Sequence, residues 1–267
     1  MIFYAKLQFG FKYLRYWIKA SNGKGHGIHS PFVFDFIKNV LNDNRQYAAY
    51  SKVEKLRTSL IKNQKSLQVE DLGAGSHIST SSQRTISSIA RNAAKPSKYG
   101  QLLFRLARYY HAKNIIEAGT SLGITTSYLA QANAESSIVT LEGANEVADQ
   151  ALENFKALQL NNIKLVKGNF DETLPIALKE WPFVDLVFID GNHRKDPTIN
   201  YFNHLLEHIH NETILIFDDI HWSNGMEEAW DTICTNENVT ATIDLFFIGI
   251  VFFRKEIKNK QHFMIRF

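Results

Sequence analysis

Short apolar runs alternate with helix-like stripes along the C-terminal two thirds of the chain. Runs at residues 115–116, 138–141, 163–166, 184–189 and 214–217 predict five strands. Between these runs, apolar residues recur every three to four positions, which is the period of an amphipathic helix. Strands that alternate with helices in this way predict an α/β fold, with a parallel sheet covered on both faces.

The last two predicted strands follow a different pattern. Residues 239–244 and 248–253 are strand-like, but only Leu245, Phe246 and Phe247 separate them. A parallel crossover needs about a dozen residues or more. These two strands are therefore predicted to form an antiparallel hairpin at the edge of the sheet.

The first part of the chain has helical periodicity instead. Apolar residues at helical spacing predict helices over residues 1–20, 32–41 and 53–61. We place a domain boundary near Pro96 and Ser97, which divides the chain into a mainly helical cap at residues 1–98 and a second domain at residues 99–267.

Residues 1–20 are both aromatic and basic, and they have no small-residue cleavage site, so no signal peptide is predicted. Two interpretations are open. The segment is either an amphipathic helix on a membrane surface, or a helix packed on its own domain or on a partner subunit of a homodimer. Helical stripes usually serve packing, which favours the second interpretation.

The overall composition is that of a folded globular protein. Of the 267 residues, 45% are hydrophobic and 21% are charged. The net charge of +3 is too small to indicate nucleic acid, and the single cysteine, Cys234, excludes an internal disulfide framework. The apolar runs are much shorter than the roughly 20 residues that cross a bilayer. The sequence therefore predicts a cytoplasmic protein with no membrane span.

Functional side chains follow each of the five predicted parallel strands. They are Glu117, Glu142, Asn169 with Phe170, Asp190, and Asp218 with Asp219. Open α/β sheets bind ligands at the carboxyl ends of their strands. The sequence therefore predicts one ligand site at this edge of the sheet.

The turn after the first parallel strand has the features of a nucleoside site. Gly119 and Gly123 let the backbone approach a ligand, and the following helix presents its positive N-terminus. Glu142 comes 19 positions after Gly123, where a carboxylate can accept hydrogen bonds from both ribose hydroxyls. Glu117 stands where it would repel a pyrophosphate and attract an ammonium group.

A second glycine turn, at residues 73–75, is a weaker candidate. No Asp or Glu occurs between Leu72 and Ile116, so this turn has no acidic residue for a ribose. We interpret it as a structural turn or as a loop that lines the pocket.

Residues 99–255 resemble a class I S-adenosylmethionine-dependent methyltransferase. The segment Glu117-Ala-Gly-Thr-Ser-Leu-Gly123 is similar to the first motif of that family, with Ser121 in place of its frequent middle glycine. The similarity extends to Glu142 and to residues 184–190 and 216–219, and it is greatest to the O-methyltransferase branch with the catechol and caffeoyl-coenzyme A enzymes. This resemblance implies a Rossmann-like, seven-stranded sheet of order 3-2-1-4-5-7-6 whose last strand is antiparallel, and methylation of an oxygen on a small molecule.

The resemblance also implies roles for individual residues. The cofactor-binding set is Glu117, Gly119, Thr120, Ser121, Gly123, Glu142, Gly143, Asn169, Phe170 and Asp190. In the metal-dependent branch, the acids after strands four and five hold a divalent cation such as Mg²⁺, and here these are Asp190, Asp218 and Asp219. His193 stands where that branch has a lysine, so His193 and Asp190 are the predicted catalytic residues. His193 is either a general base or a residue that contacts the cofactor or caps a loop.

Two other functions use the same residues. A nicotinamide-dependent oxidoreductase would need the same strand, turn and ribose acid. A non-catalytic protein that binds S-adenosylmethionine would also keep them. The sequence does not identify the methyl acceptor.

Overall fold

The computed structural model describes residues 2–69, 83–92 and 95–267, so the glycine turn at residues 73–75 lies outside the described residues. The helices are α1 (Ile2–Lys19), α2 (Pro31–Phe36), which continues as a π-helix (Ile37–Leu41), α3 (Ala48–Lys62), α4 (Ile86–Asn92), α5 (Ser97–Tyr109), α6 (Ile124–Ala130), α7 (Asn145–Ala157), α8 (Phe170–Leu178), α9 (Lys195–Leu205) and α10 (Asn224–Thr235). The strands are β1 (Ser66–Gln68), β2 (Gln83–Thr85), β3 (Asn114–Ala118), β4 (Ser137–Glu142), β5 (Ile163–Lys167), β6 (Leu186–Ile189), β7 (Ile214–Asp218), β8 (Ala241–Asp244), β9 (Ile248–Phe252) and β10 (Gln261–Met264).

The chain divides into two compact units. One comprises residues 44–192, and the other comprises residues 1–43 together with residues 193–267. The predicted domain boundary after residue 98 lies inside the first of these ranges, and it stays a prediction.

The unit of residues 44–192 contains four parallel strands in the order β5-β4-β3-β6. Ile116 of β3 pairs with Val139 of β4 on one side and with Val187 of β6 on the other. All four residues of β6 are buried, as expected for a strand covered on both faces. The predicted order 3-2-1-4 is confirmed, and a short antiparallel pair of β1 with β2 was not predicted.

The other unit contains the order β7-β9-β8-β10. Strand β9 is antiparallel to both β7 and β8, with Ile250 opposite Ile216 and Ile243. The predicted hairpin and the order 5-7-6 are therefore confirmed. Strand β10 was not predicted; it runs parallel to β8, with Phe263 opposite Ile243. The class is α/β and Rossmann-like, as predicted.

Helix α1 is present as predicted, and one of its faces packs within its own unit. Tyr16 is buried, and its ring lies 5.2 Å from the ring of Phe246. The rings of Phe9 and Tyr13 lie 5.3 Å and 4.9 Å from the same phenylalanine. The sequence favoured a packing role for the apolar stripe of this helix, and the structure confirms this role for the face that carries Tyr16. Among the described residues, no helix is long and apolar enough to span a bilayer.

Helix α9 begins one residue before Asp196. Asp196 and Pro197 would suit a helix cap and a first-turn proline, but the helix begins at Lys195 and Arg194 is its cap residue. Arg194 is extended, and its carbonyl oxygen accepts a hydrogen bond from the amide of Thr198. Asp196 thus lies in the first turn, where its negative charge interacts favourably with the positive end of the helix dipole.

Candidate active site

Strand β3 leads into a tight turn that ends at the first residue of α6. The amides of Gly119 and Thr120 both donate to the carbonyl oxygen of Leu141, each at 3.0 Å, so the turn is tied to the end of β4. The amide of Gly123 donates to the carbonyl oxygen of Thr120 at 2.8 Å and closes the turn. The chain then enters α6 at Ile124.

Both glycines of the turn are required by their surroundings. Gly119 has a φ of +111°, and a Cβ atom there would lie 1.9 Å from the carbonyl oxygen of Asp190. Gly123 has a φ of +74°, and a Cβ atom there would lie 2.4 Å from the ring of Phe155. Any larger residue would force the backbone or the neighbour to move. Glycine is therefore required at both positions by packing within the protein, and the predicted approach of a ligand to this backbone stays a prediction.

Ser121 occupies the position where the resemblance implies a frequent glycine. Its φ of +49° lies in the left-handed region, which costs an L-residue about 1 to 2 kcal/mol. The backbone amide of Ser121 points to Glu142 and donates to its Oε2 atom at 2.7 Å. The left-handed backbone conformation thus places the amide of Ser121 where it binds Glu142, the last residue of β4.

Glu142 is held by backbone amides. Its Oε2 atom accepts from Ser121 and its Oε1 atom accepts from Ala144 at 2.9 Å. Burial raises the pKa of this carboxyl above its usual range, although the amides of Ala144, Ser121 and Gly143 oppose the shift. A carboxylate has about four acceptor sites. The three amides leave the carboxylate acceptor capacity for about one further donor.

Glu117 lies beneath the turn, with no exposed surface. Its Oε2 atom accepts hydrogen bonds from the hydroxyls of Thr126 and Thr140, the latter at 2.7 Å. Burial is the main cause that raises its pKa to about 7. Among the described residues, its Oε1 atom has no hydrogen-bond partner. The carboxyl therefore faces the interior of this structure, and the predicted contact of Glu117 with an ammonium group stays a prediction.

A pocket opens above the turn. It is lined by Gly119, Thr120, Ser121, Leu122, Ile124, Thr125 and Asp190. Asp190 reaches this pocket because it directly follows β6, and its amide donates to the carbonyl oxygen of Ala118 at 2.8 Å. The structure thus brings the predicted turn residues and Asp190 together around one pocket.

Asn169 and Phe170 follow β5 at the same edge of this four-stranded sheet. The side chain of Asn169 accepts from the amide of Asp171 at 3.1 Å and caps α8. The ring of Phe170 lies against Gly191, because a Cβ atom at Gly191 would be 2.4 Å from its Cε2 atom. Phe170 therefore lies beside the residue that follows Asp190.

His193, Asp218 and Asp219 belong to the other compact unit. His193 is half-buried in the loop before α9, and Asp218 is a buried residue at the end of β7. Asp219 has a φ of +51°, and its amide donates to the carbonyl oxygen of Phe247 at 2.7 Å. The catalytic and metal-binding roles of these residues stay predictions.

Several residues near the pocket were not predicted from the sequence. Leu122, Ile124 and Thr125 line it, and their position in and just after the glycine turn is a signal that could have found them. Thr126 and Thr140 hold Glu117. A threonine inside an otherwise apolar buried strand is a sign of a buried acceptor, because buried hydroxyls need partners.

Comparison with known proteins shows what the chain is similar to. Residues 116–220 match the family described as a methyltransferase domain. This part of the chain is similar to methyltransferase domains. The match names a methyltransferase, so the oxidoreductase alternative gains no support from it.

Two relatives of this chain are named catechol O-methyltransferase. The chain is 31% identical over 125 residues to the catechol O-methyltransferase of Niastella koreensis, a match that covers 45% of this chain and 55% of that protein. It is 30% identical over 135 residues to the catechol O-methyltransferase of Mycobacterium tuberculosis, which covers 50% of this chain and 60% of that protein. The matches therefore span little more than half of these two relatives.

A solved structure shares the fold of this chain. The O-methyltransferase of Bacillus cereus, solved in complex with SAH, aligns with a TM-score of 0.54 and 21% identity. The alignment covers 83% of this chain and 97% of that one. At this identity the likeness concerns the fold alone.

Proposed function

We propose that this protein is an S-adenosylmethionine-dependent methyltransferase that methylates an oxygen atom of a small molecule. The observation that carries the proposal is the pocket above the β3 turn, with Glu142 held beside it by the amide of Ser121. The relatives named catechol O-methyltransferase support the choice of an oxygen acceptor.

The residues around the pocket fit this cofactor. Gly119 lines the pocket and has no side chain, so a ligand can lie against bare backbone there. The remaining acceptor capacity of Glu142 suits a ribose hydroxyl. Asp190 adds a carboxyl to the pocket lining. A carboxylate there would attract an ammonium group and repel a pyrophosphate, which favours S-adenosylmethionine over a dinucleotide.

Binding and alignment account for most of the catalysis in this proposal. Bound S-adenosylmethionine supplies a methyl group that is already strongly electrophilic. Glu142 and the glycine turn would fix the cofactor, and the protein would hold the acceptor oxygen in line with the methyl group. The acceptor oxygen would take the methyl group as the cofactor sulfur leaves, and its hydroxyl proton would have to be removed. We assign its removal to His193, because histidine is the most common general base in enzymes.

The metal hypothesis rests on the resemblance. Asp190, Asp218 and Asp219 would supply the oxygen ligands that Mg²⁺ prefers, and the cation would lower the pKa of the acceptor hydroxyl. Activity should then fall in excess chelator and return with Mg²⁺. Full activity in excess chelator would exclude this role of the three acids.

Titration calorimetry with S-adenosylmethionine tests the proposal. Glu142→Ala removes the charged acceptor of the proposed ribose hydrogen bond, so we expect affinity to fall at least about tenfold. Glu153→Ala, an exposed acid on α7, is the matched control and should leave affinity unchanged. Unchanged affinity in Glu142→Ala would contradict the proposed site.

Assays with labelled cofactor test the reaction itself. Methyl transfer to catechols or other phenols would support the proposal. Cofactor binding without transfer to any hydroxyl acceptor would favour a non-catalytic protein. Thermal stabilisation by NAD and not by S-adenosylmethionine would favour the oxidoreductase.

A further inference from the structure

The outward face of α1 exposes large apolar side chains. Phe11, Leu14 and Ile18 are 68%, 53% and 68% exposed. They stand at positions i, i+3 and i+7, so they form one stripe along the helix. We call these three residues the α1 outer stripe. Trp17, which is 48% exposed, lies one position before its last member.

The opposite face of α1 fixes the orientation of the stripe within residues 1–43 and 193–267. Tyr16 packs against Phe246, and its hydroxyl donates to the carbonyl oxygen of Ile265. Lys12 forms a 2.7 Å ion pair with Glu227. Since these contacts hold the inner face, the α1 outer stripe is a feature of the folded unit and not of a loose helix.

Basic groups surround the α1 outer stripe. Arg15 and Lys19 are exposed on the same helix. The guanidinium of Arg266 lies 3.9 Å from the ring centroid of Trp17, and its Nε atom donates to the carbonyl oxygen of Trp17. The first acidic residue in the sequence is Asp35, so no carboxyl side chain occurs in the first 34 residues. The surface therefore combines apolar side chains with positive charge.

We propose that the outer face of α1 docks on the surface of an anionic lipid bilayer. Amphipathic helices with aromatic and aliphatic side chains on one side and Lys or Arg beside them lie in the interface of such membranes. Trp suits this interface because its ring is amphipathic, and long basic side chains reach the headgroups while their stems stay apolar. This inference goes beyond methyl transfer and does not depend on it.

Charge argues for lipid over a second copy of the chain. Two α1 helices paired through their stripes would bring Arg15 and Lys19 of both copies together, and the segment has no acidic residue to pair with them. An anionic bilayer neutralises those charges and accepts the apolar side chains at the same time.

Co-flotation of the full-length protein with vesicles tests the proposal. We expect binding to vesicles of phosphatidylcholine mixed with phosphatidylglycerol, much weaker binding to phosphatidylcholine alone, and weaker binding at high salt. Leu14→Ser with Ile18→Ser should weaken binding at least about tenfold. Ile176→Ser with Phe183→Ser, which alters two exposed apolar residues elsewhere, is the matched control and should bind as the wild type does.

Charge reversal provides an independent test. Arg15→Glu with Lys19→Glu should weaken binding to the anionic vesicles at least about tenfold. Lys52→Glu with Lys55→Glu makes the same change on the exposed side of α3 and should have a much smaller effect. Urea unfolding of each variant establishes that the fold is retained.

Two results would overturn the proposal. One is absence of binding to anionic vesicles by the folded wild type. The other is a dimer in sedimentation experiments that Leu14→Ser with Ile18→Ser converts to a monomer, together with vesicle binding that this variant retains. The second result would assign the α1 outer stripe to self-association.

Discussion

A Cβ atom at Gly119 would lie 1.9 Å from the carbonyl oxygen of Asp190, so these two residues meet backbone to backbone. The amide of Asp190 also donates to the carbonyl oxygen of Ala118, which precedes the glycine. The ends of β3 and β6 are therefore locked together beside the pocket. Since Asp190 lines that pocket, the glycine also determines where its acid can stand.

Gly119→Ala should be strongly destabilising. The new methyl group has no space, and a φ of +111° is energetically unfavourable for alanine. We therefore expect a loss of about 3 kcal/mol or more in the free energy of unfolding. Urea denaturation measures this change. Gly10→Ala is the control: Gly10 lies in α1 with open space around it, and alanine there should stabilise the helix by about 0.5 to 1 kcal/mol. Equal stability of the Gly119→Ala variant and the wild type would contradict the close approach.

Ser121→Gly should have the opposite effect. Glycine adopts a φ of +49° without the steric cost that serine bears, although it gains entropy in the unfolded chain. We expect a net stabilisation of up to about 1 kcal/mol, with unchanged affinity for S-adenosylmethionine, because the amide that binds Glu142 remains. Ser121→Val, which places a β-branched residue in the left-handed region, should destabilise the protein. A loss of cofactor affinity in Ser121→Gly would show that the hydroxyl, and not the backbone, is what matters.

Those features of the fold that depend on local pattern could be predicted from the sequence. The five apolar runs became β3 to β7, and three residues between two strands required a hairpin. Strand β10 was missed because Gln261 and His262 are polar. The strand forms because its backbone pairs with β8, which is a tertiary effect that no local pattern contains.

In the candidate site, too, local features could be predicted from the sequence and tertiary contacts could not. Glycine spacing and the distance to Glu142 predicted the turn, because both depend on chain geometry near one strand end. The direction of the Glu117 side chain could not be predicted from spacing, since it depends on Thr126 from α6 and Thr140 from β4 meeting beneath the turn. A buried carboxyl group points in the direction in which hydrogen-bond donors are available.

His221 should make stability depend on pH. Its Nδ1 atom lies 3.0 Å from Glu227 and its Nε2 atom lies 2.9 Å from Asp244, and Lys12 shares Glu227. Burial opposes protonation, but the hydrogen bonds and charges of the two acids outweigh it and raise the pKa of His221 above 6.5. The stabilisation is fully present below pH 6.5, and it is lost as the pH rises through the higher folded-state pKa.

Comparison of His221→Gln with the wild type tests this dependence. At pH 6 the free energy of unfolding of the variant should be about 3 kcal/mol lower than that of the wild type, because two charge-assisted hydrogen bonds are lost. At pH 9 this difference in stability between the two proteins should be smaller. His204→Gln, at an exposed histidine of α9, is the control and should change stability little at either pH. A difference that is the same at both pH values would mean that His221 acts only through packing.

Glu117→Gln should make the protein more stable in alkaline solution. The folded state keeps the proton of Glu117 up to a pKa of about 7, whereas the unfolded chain releases it near pH 4.5, so wild-type stability falls as the pH rises between these values. This loss reaches up to about 3 kcal/mol at pH 8. The glutamine carbonyl can accept from Thr126 and Thr140 without ever becoming charged. We therefore expect the variant to match the wild type at pH 5 and to exceed it at pH 8 in urea denaturation. Glu153→Gln is the control, and its stability should equal that of the wild type at both pH values because its side chain is exposed. An equal loss of stability at pH 5 and pH 8 in Glu117→Gln would mean that the glutamine amide does not fit beneath the turn.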